Sequence, residues 1–223
     1  MIRFQNFSKF YPTRNGRSYI FRDVNIELPT DRNLAILGPN GVGKSTLIRI
    51  MGGADIPSRG TIESDVRVSW PLGLQGGLQG NMTGRENVRF VARIHGYKDT
   101  RVIEQQVADF AEIGVYFDEP VRTYSNGMRA RVTFGLTMAF DFNFDVLLID
   151  ELTAVGDATF KNKSQALLLE KYERTKVIMV NHSVEQLKKF CDGGVVIKNK
   201  TLEYYDDLEE AIRNYQETYV RNR

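Results

Sequence analysis

Eight consecutive residues carry the most specific chemistry in the chain: Gly38-Pro39-Asn40-Gly41-Val42-Gly43-Lys44-Ser45, with Thr46 directly after them. They spell a complete G-x-x-x-x-G-K-S phosphate loop. Its glycines let the backbone curl so that successive N–H groups aim at phosphate oxygens. Lys44 would reach the β- and γ-phosphates of a nucleoside triphosphate, and the Ser45 hydroxyl would ligate Mg2+. A chance glycine turn would not be flanked by a short apolar run before it and helical spacing after it.

A second constellation is Asp145-Val146-Leu147-Leu148-Ile149-Asp150-Glu151. Four apolar residues read as a buried strand that delivers two carboxylates at its C-terminal end, where ligands bind in open α/β sheets. Asp150 suits the surroundings of Mg2+. Glu151 suits a general base that polarises an attacking water. Alone, such a pair would read as a solvated turn; beside a phosphate loop it reads as catalytic.

Between these two lies Tyr124-Ser125-Asn126-Gly127-Met128-Arg129, ahead of a helical run. The bland reading is a helix cap. The functional one is a second anion site in which Ser125 and the N–H groups of the turn meet a γ-phosphate. Late in the chain, His182 follows an apolar run at Val177 to Val180, and contact with a γ-phosphate is a reasonable role for it. His95, beside Gly96, reads as structural. No His/Cys cluster has zinc spacing, so any metal would arrive with the nucleotide.

The elements that must position these residues follow from hydrophobic pattern. The first 35 residues read as short strands and turns, with turn chemistry at Thr13-Arg14-Asn15-Gly16. Leu34 to Leu37 is a buried strand, and Ser45 to Met51 has helical spacing. Residues 60–70 look like a strand pair. Gly73 to Gly84, rich in Gly and Gln, is too flexible for a regular element. From Arg85 to about Ala139 the pattern is mostly helical, with Val88, Val91, Ala92 and Ile94 on one face. Val146 to Ile149 and Val177 to Val180 are strands of the kind parallel sheets use. Phe160 to Tyr172, Val184 to Phe190 and Leu208 to Tyr219 read as helices. No repeat or linker separates a second domain.

Composition restricts the function classes. With 30 basic and 28 acidic residues among 223, the net charge of +2 gives no reason to invoke nucleic acid. Cys191 is the only cysteine, so the fold stands without an internal disulfide, and a packed structural thiol is the expected reading. No segment reaches the roughly 18 apolar residues of a membrane span, and the N-terminus lacks the apolar core of a signal peptide. Any membrane role is expected to run through a partner.

Phosphate loop, glutamine-bearing stretch, Ser-Asn-Gly turn, Asp-Glu strand and late histidine occur in that order. The combination resembles the nucleotide-binding cassette of ABC transporters over essentially the whole chain. The resemblance implies an α/β fold in one domain, residues 1–223: a P-loop NTPase (RecA-like) core with an antiparallel β subdomain and an inserted α-helical subdomain at roughly 85–140. It implies ATP and Mg2+ as ligands, with two copies meeting head to tail. Each nucleotide would then lie between one phosphate loop and the opposing Ser125-Asn126-Gly127. It also implies an integral membrane permease subunit as partner, and residence at the cytoplasmic face of a bacterial inner membrane.

Residue by residue, Ser125-Asn126-Gly127 matches the family's S-G-G with Asn in the middle, a residue that tolerates left-handed backbone. Met128 stands where Gln is usual, and Leu152 where Pro is usual. Asp157 matches the aspartate of the loop bridging two cassettes. Gln75 fits the glutamine that contacts Mg2+ and senses the membrane subunit, with Gln79 as competitor. Tyr11 matches the aromatic that stacks on adenine, and Tyr19 is the alternative.

A finer resemblance, to polysaccharide exporters, rests on Trp70-Pro71-Leu72-Gly73, Thr83-Gly84-Arg85-Glu86-Asn87 and Val155-Gly156-Asp157-Ala158-Thr159-Phe160. The chain ends soon after the core, without room for a carbohydrate-recognising C-terminal domain, which points to the capsular branch. Two other classes compete: a stand-alone P-loop kinase or GTPase, and a soluble ABC ATPase not linked to transport. A GTPase would show N-K-x-D; Asn162-Lys163-Ser164-Gln165 and Asn199-Lys200-Thr201-Leu202 both lack the aspartate.

Overall fold

The computed structural model describes residues 1–14, 16–72, 78–94, 96–139, 144–150, 160, 163–164, 166–167, 175–181 and 183–219. These fall into two compact units. One is drawn from Met1–Pro71, Phe144–Glu151 and Arg174–Arg223, the other from Leu72–Asn143 and Leu152–Glu173.

The first unit opens on two long strands, β1 (Ile2–Thr13) and β2 (Gly16–Leu28), where the sequence suggested short ones. They stay paired over this length because three register shifts relieve the mismatch between them. Thr13 pairs Gly16 at the place of the expected turn, of which Asn15 lies outside the described residues. Phe4, Phe7, Phe21, Val24 and Leu28 point from this hairpin into the core.

Residues 60–70 do hold two strands, β4 (Arg59–Ser64) and β5 (Val68–Leu72), but they do not pair with each other. β4 completes an antiparallel sheet of order β2-β1-β4. β5 starts a six-stranded sheet that continues through β6 (Val146–Asp150), β7 (Lys176–Val180), β3 (Leu34–Leu37), β8 (Gly193–Lys198) and β9 (Thr201–Tyr205). The buried hydroxyl of Ser69 accepts the N–H of Leu148 at 2.9 Å and so ties β5 to β6. Local alternation cannot tell a hairpin from two strands assigned to different sheets.

β6, β7, β3 and β8 run parallel, and every residue of β3 and β6 is buried. Their unbroken apolar runs reflect burial on both faces. β8 and β9, which the apolar pattern alone did not reveal, form a hairpin around Asn199 and Lys200. Both turn residues have positive φ, 49° and 64°, as a tight type I′ turn requires. The Asn-Lys pair weighed as a guanine motif is thus turn chemistry.

The helices of this unit are α1 (Lys44–Met51), the short α5 (Val184–Phe190) and α6 (Leu208–Tyr219), the last packing on β8. Among the described residues of the second unit the long elements are helices: α2 (Gly84–Ile94), α3 (Arg101–Ala111) and α4 (Asn126–Ala139). Two short 3-10 turns at Gly114–Asp118 and Val121–Thr123 lie between α3 and α4. Val88, Ala92, Val107, Ala111, Phe117 and Val132 make its own core. Ile94, expected on the buried face with Val88, is instead 64% exposed as the last residue of α2. The helix expected from Phe160 to Tyr172 lies mostly outside the described residues.

α2 begins with a reciprocal cap. The Thr83 hydroxyl accepts the N–H of Glu86 at 3.0 Å, and the Glu86 carboxylate accepts the N–H of Thr83 at 2.8 Å. Two donors at the helix start are thereby satisfied. Gly135 lets α4 approach α3 closely, since a Cβ there would lie 3.0 Å from the Phe110 ring.

Candidate functional site

The phosphate loop leaves the end of β3 and enters α1 within six residues. Its shape depends on two glycines in left-handed conformation, Gly41 at φ 79° and Gly43 at φ 117°. Gly43 is also the N-cap of α1, and its carbonyl accepts the Leu47 N–H at 2.9 Å. The loop therefore ends with the first amides of a helix facing outward, the arrangement that suits an anion. Lys44 folds back over the loop and donates to the carbonyls of Gly38 at 2.7 Å and Pro39 at 3.0 Å.

A cavity of about 320 Å3 opens here. Asn40, Gly41, Gly43, Lys44, Ser45 and Thr46 line it from the loop, and Asp150 from the end of β6. Of the motif, Val42 turns inward and packs on the core, and a Cβ on Gly38 would lie 2.7 Å from its Cγ1. Val42 thus holds the loop against the sheet.

Two further lining residues, Ile20 and Val180, were not found from the sequence. Ile20 is the extra residue at the register shift where Lys9 pairs Phe21 and Phe10 pairs Tyr19. A Cβ added to Gly43 would sit 2.4 Å from its Cγ2. The bulge presses Ile20 against the phosphate loop, a contact between positions 23 apart that local pattern does not encode. Val180 is the direct strand partner of Asp150, so the C-terminal ends of β6 and β7 meet at the cavity.

The donor set fits Mg2+. The Ser45 hydroxyl and the buried Asp150 carboxylate face one cavity, and both are hard oxygen donors. Mg2+ characteristically takes one or two such groups and completes its shell with water and phosphate.

Ser125, Asn126 and Gly127 belong to the second unit, at the start of α4. Ser125 is the N-cap: its hydroxyl accepts the Met128 N–H at 3.2 Å, and its carbonyl the Arg129 N–H at 3.0 Å. Asn126 is helical and does not have positive φ, so its tolerance of left-handed backbone is not called upon. Both Ser125 and Asn126 are exposed.

Tyr11 is exposed, with the Lys9 ammonium 5.2 Å from its ring centre. Tyr19 packs at 5.0 Å on Phe10. Tyr11 is therefore the better placed of the two to stack on a base. Gln79 is held by its backbone, its N–H donating to Asn87 Oδ1 at 2.6 Å and its carbonyl accepting from Asn87 Nδ2 at 3.1 Å. Gln75, Glu151, Asp157 and His182 lie outside the described residues. Cys191 is buried, and burial, with Asp192 adding to it, pushes its thiol up to about 12.

A strand-to-loop-to-helix phosphate site, a facing strand-end carboxylate and a separate helical unit define an ATP-binding cassette. The family model described as ABC transporter matches residues 21–154, and the chain belongs to that family. Among curated relatives, it is 47% identical over 218 residues to the polysialic acid transport ATP-binding protein KpsT of Escherichia coli, covering 97% of this chain and 96% of that one. It is 41% identical to the ATP-binding protein BexA of Haemophilus influenzae, covering 98% and 99%. With the capsule polysaccharide export ATP-binding protein CtrD of Neisseria meningitidis serogroup B it shares 38% identity, covering 96% and 98%. The fold matches the ATP-binding cassette MJ0796 in a dimeric post-hydrolysis state bound to ADP and Pi. The TM-score is 0.74 at 23% identity, covering 93% of this chain and 99% of that one.

Proposed function

We propose that this protein is the ATP-hydrolysing subunit of an ABC exporter that drives a capsular polysaccharide across the inner membrane through a separate membrane subunit. The observation that carries the reading is the cavity where Lys44, Ser45 and Asp150 meet, in a chain nearly coextensive with a polysialic acid transport and a capsule polysaccharide export ATP-binding protein. One ABC domain, with its helical subdomain at roughly 85–140, is the organisation this implies.

Two copies face each other head to tail. The amides of residues 40–46 and Lys44 grip the triphosphate, and Tyr11 stacks on adenine. Ser125, Asn126 and Gly127 of the opposite copy close over the γ-phosphate, with Asp157 bridging the halves. Mg2+, when bound, would neutralise charge on the phosphate oxygens. Ser45, Asp150 and Gln75 would hold it. Glu151 takes a proton from the attacking water, and His182 contacts the γ-phosphate. Loss of that phosphate removes the bridge between copies.

The helical unit exposes Phe90, Ile94, Tyr97, Val102, Val115 and Tyr116, large side chains of the kind a protein partner covers. Among the described residues no helix is long and apolar enough to cross a membrane. The exposed side chains support docking on a permease, which would place the subunit peripherally at the cytoplasmic face.

The test is hydrolysis with water as sole acceptor, combined with copurification from membranes. Glu151→Gln should abolish turnover and retain nucleotide binding, and loss of the protein should leave polysaccharide inside the cell. Normal turnover by Glu151→Gln, or an acceptor other than water, would overturn the reading.

A further inference from the structure

The approach to α4 is built around a buried hydroxyl that none of these roles uses. Tyr124 is 5% exposed. Its hydroxyl accepts the Gly84 N–H at 3.0 Å and donates to the Phe117 carbonyl at 3.3 Å. Burial raises its pKa, so the phenol keeps its proton. Gly84 is the first residue of α2, and its N–H is one of the donors a helix start leaves without an internal partner. One residue after Tyr124, Ser125 caps α4. A single side chain therefore joins the beginnings of two helices.

Neighbouring contacts extend this junction. Val121 N–H donates to the Met82 carbonyl and Arg122 N–H to the Gly80 carbonyl, both at 2.9 Å, and Thr83 bridges Pro120. At the far end Asn87, 1% exposed, grips both backbone groups of Gln79. Residues 79–84 lead out of the glutamine-bearing stretch, and residues 120–124 lead into Ser125. The two segments are fastened along their length. Gly84 is obligatory at the crossing, because a Cβ would lie 2.5 Å from the Tyr124 hydroxyl and 2.9 Å from Phe117 Cδ2.

We infer that Tyr124 is a positioning residue for Ser125: its hydroxyl sets where the α4 start is presented and ties that start to the exit of the glutamine-bearing stretch. Movement at one is then movement at the other. The inference rests on the proposed contact of residues 125–127 with the opposite copy's nucleotide. A phenyl ring alone would fill the same core space. What the hydroxyl adds is a fixed link to α2.

The experiment uses the full-length chain copurified with its membrane subunit, comparing Tyr124→Phe, Gly84→Ala, their double variant and Ser125→Ala. Hydrolysis is measured over a range of ATP concentrations, and a fluorescent ATP analogue counts binding sites. In Tyr124→Phe, kcat per bound nucleotide should fall about tenfold, as expected for a displaced contact. Analogue affinity should stay within about twofold of the parent. A purely structural role would reduce site number and leave turnover per site unchanged. Gly84→Ala keeps the hydroxyl but displaces it, and should lower kcat as well. The double variant should be no worse than Gly84→Ala alone, because both act on one contact. Unchanged turnover per site in Tyr124→Phe, with Ser125→Ala impaired, overturns the positioning role and leaves the function standing. If Ser125→Ala turns over normally, the contact of residues 125–127 with nucleotide falls, and the inference with it.

Discussion

Lys44 and Gly38, six residues apart, close the phosphate loop on itself: the lysine ammonium donates to the glycine carbonyl at 2.7 Å. The same ammonium reaches Pro39 at 3.0 Å. A cation held at the mouth of a curled backbone can exchange these carbonyls for phosphate oxygens without a large change of rotamer. Lys44→Met should leave the melting temperature near that of the parent and lower hydrolysis by at least about a hundredfold. Steady-state phosphate release checks the outcome.

Gly43 is constrained twice, by a left-handed φ of 117° and by Ile20 Cγ2 at 2.4 Å from any added Cβ. Gly43→Ala meets both penalties and should cost about 1–3 kcal/mol. Thermal melting should register it, together with weaker binding of an ATP analogue. Trimming Ile20 to Ala in the same chain relieves only the steric half, so recovery should be partial.

Glu104 is a buried carboxylate in the helical unit. Arg89 holds it in a two-point contact at 2.8 and 3.1 Å, and the Thr100 hydroxyl adds a third bond at 2.8 Å. The hydrogen bond from Arg89 is the main reason its pKa falls below the usual glutamate value, against the opposing effect of burial. A folded-state pKa below the unfolded one means that the unfolded chain binds more protons in acid. The stabilisation is therefore complete above about pH 4.3 and disappears as pH drops through the folded value. Glu104→Gln should flatten the acid limb of the stability profile, measured by urea denaturation at a series of pH values. Arg89→Ala leaves the carboxylate with fewer partners and should cost about 1–3 kcal/mol at neutral pH.

Cys191, buried and with its thiol pushed up to about 12, is protonated throughout the physiological range. Iodoacetamide should label the folded protein slowly and the urea-unfolded protein quickly, because only the exposed thiolate reacts. Mass spectrometry of timed samples reads both rates. Fast labelling of the folded chain would contradict the packed role.

The phosphate loop, the strand carrying Asp150 and the cap at Ser125 are each contiguous, and all were legible in the amino-acid order. A turn that needs glycine at left-handed φ, a strand buried on both faces and a helix start each impose their residue types within a few positions. Family resemblance supplied what those fragments could not, the reason for reading them as parts of one cassette.

Contacts between distant positions were settled only by the folded chain. β4 and β5 look alike as neighbours in sequence, and pairing with β1 in one case and β6 in the other sends them to different sheets. Ile20 lines the nucleotide cavity because a register shift against β1 turns it toward Gly43. Tyr124 reads as an ordinary aromatic until Gly84, 40 positions earlier, is brought to its hydroxyl. Amino-acid order states which conformations each short stretch prefers, since those preferences arise from neighbouring atoms. Packing chooses which stretches meet, because burying apolar surface is non-directional and acquires its geometry only from the whole set of elements being buried together.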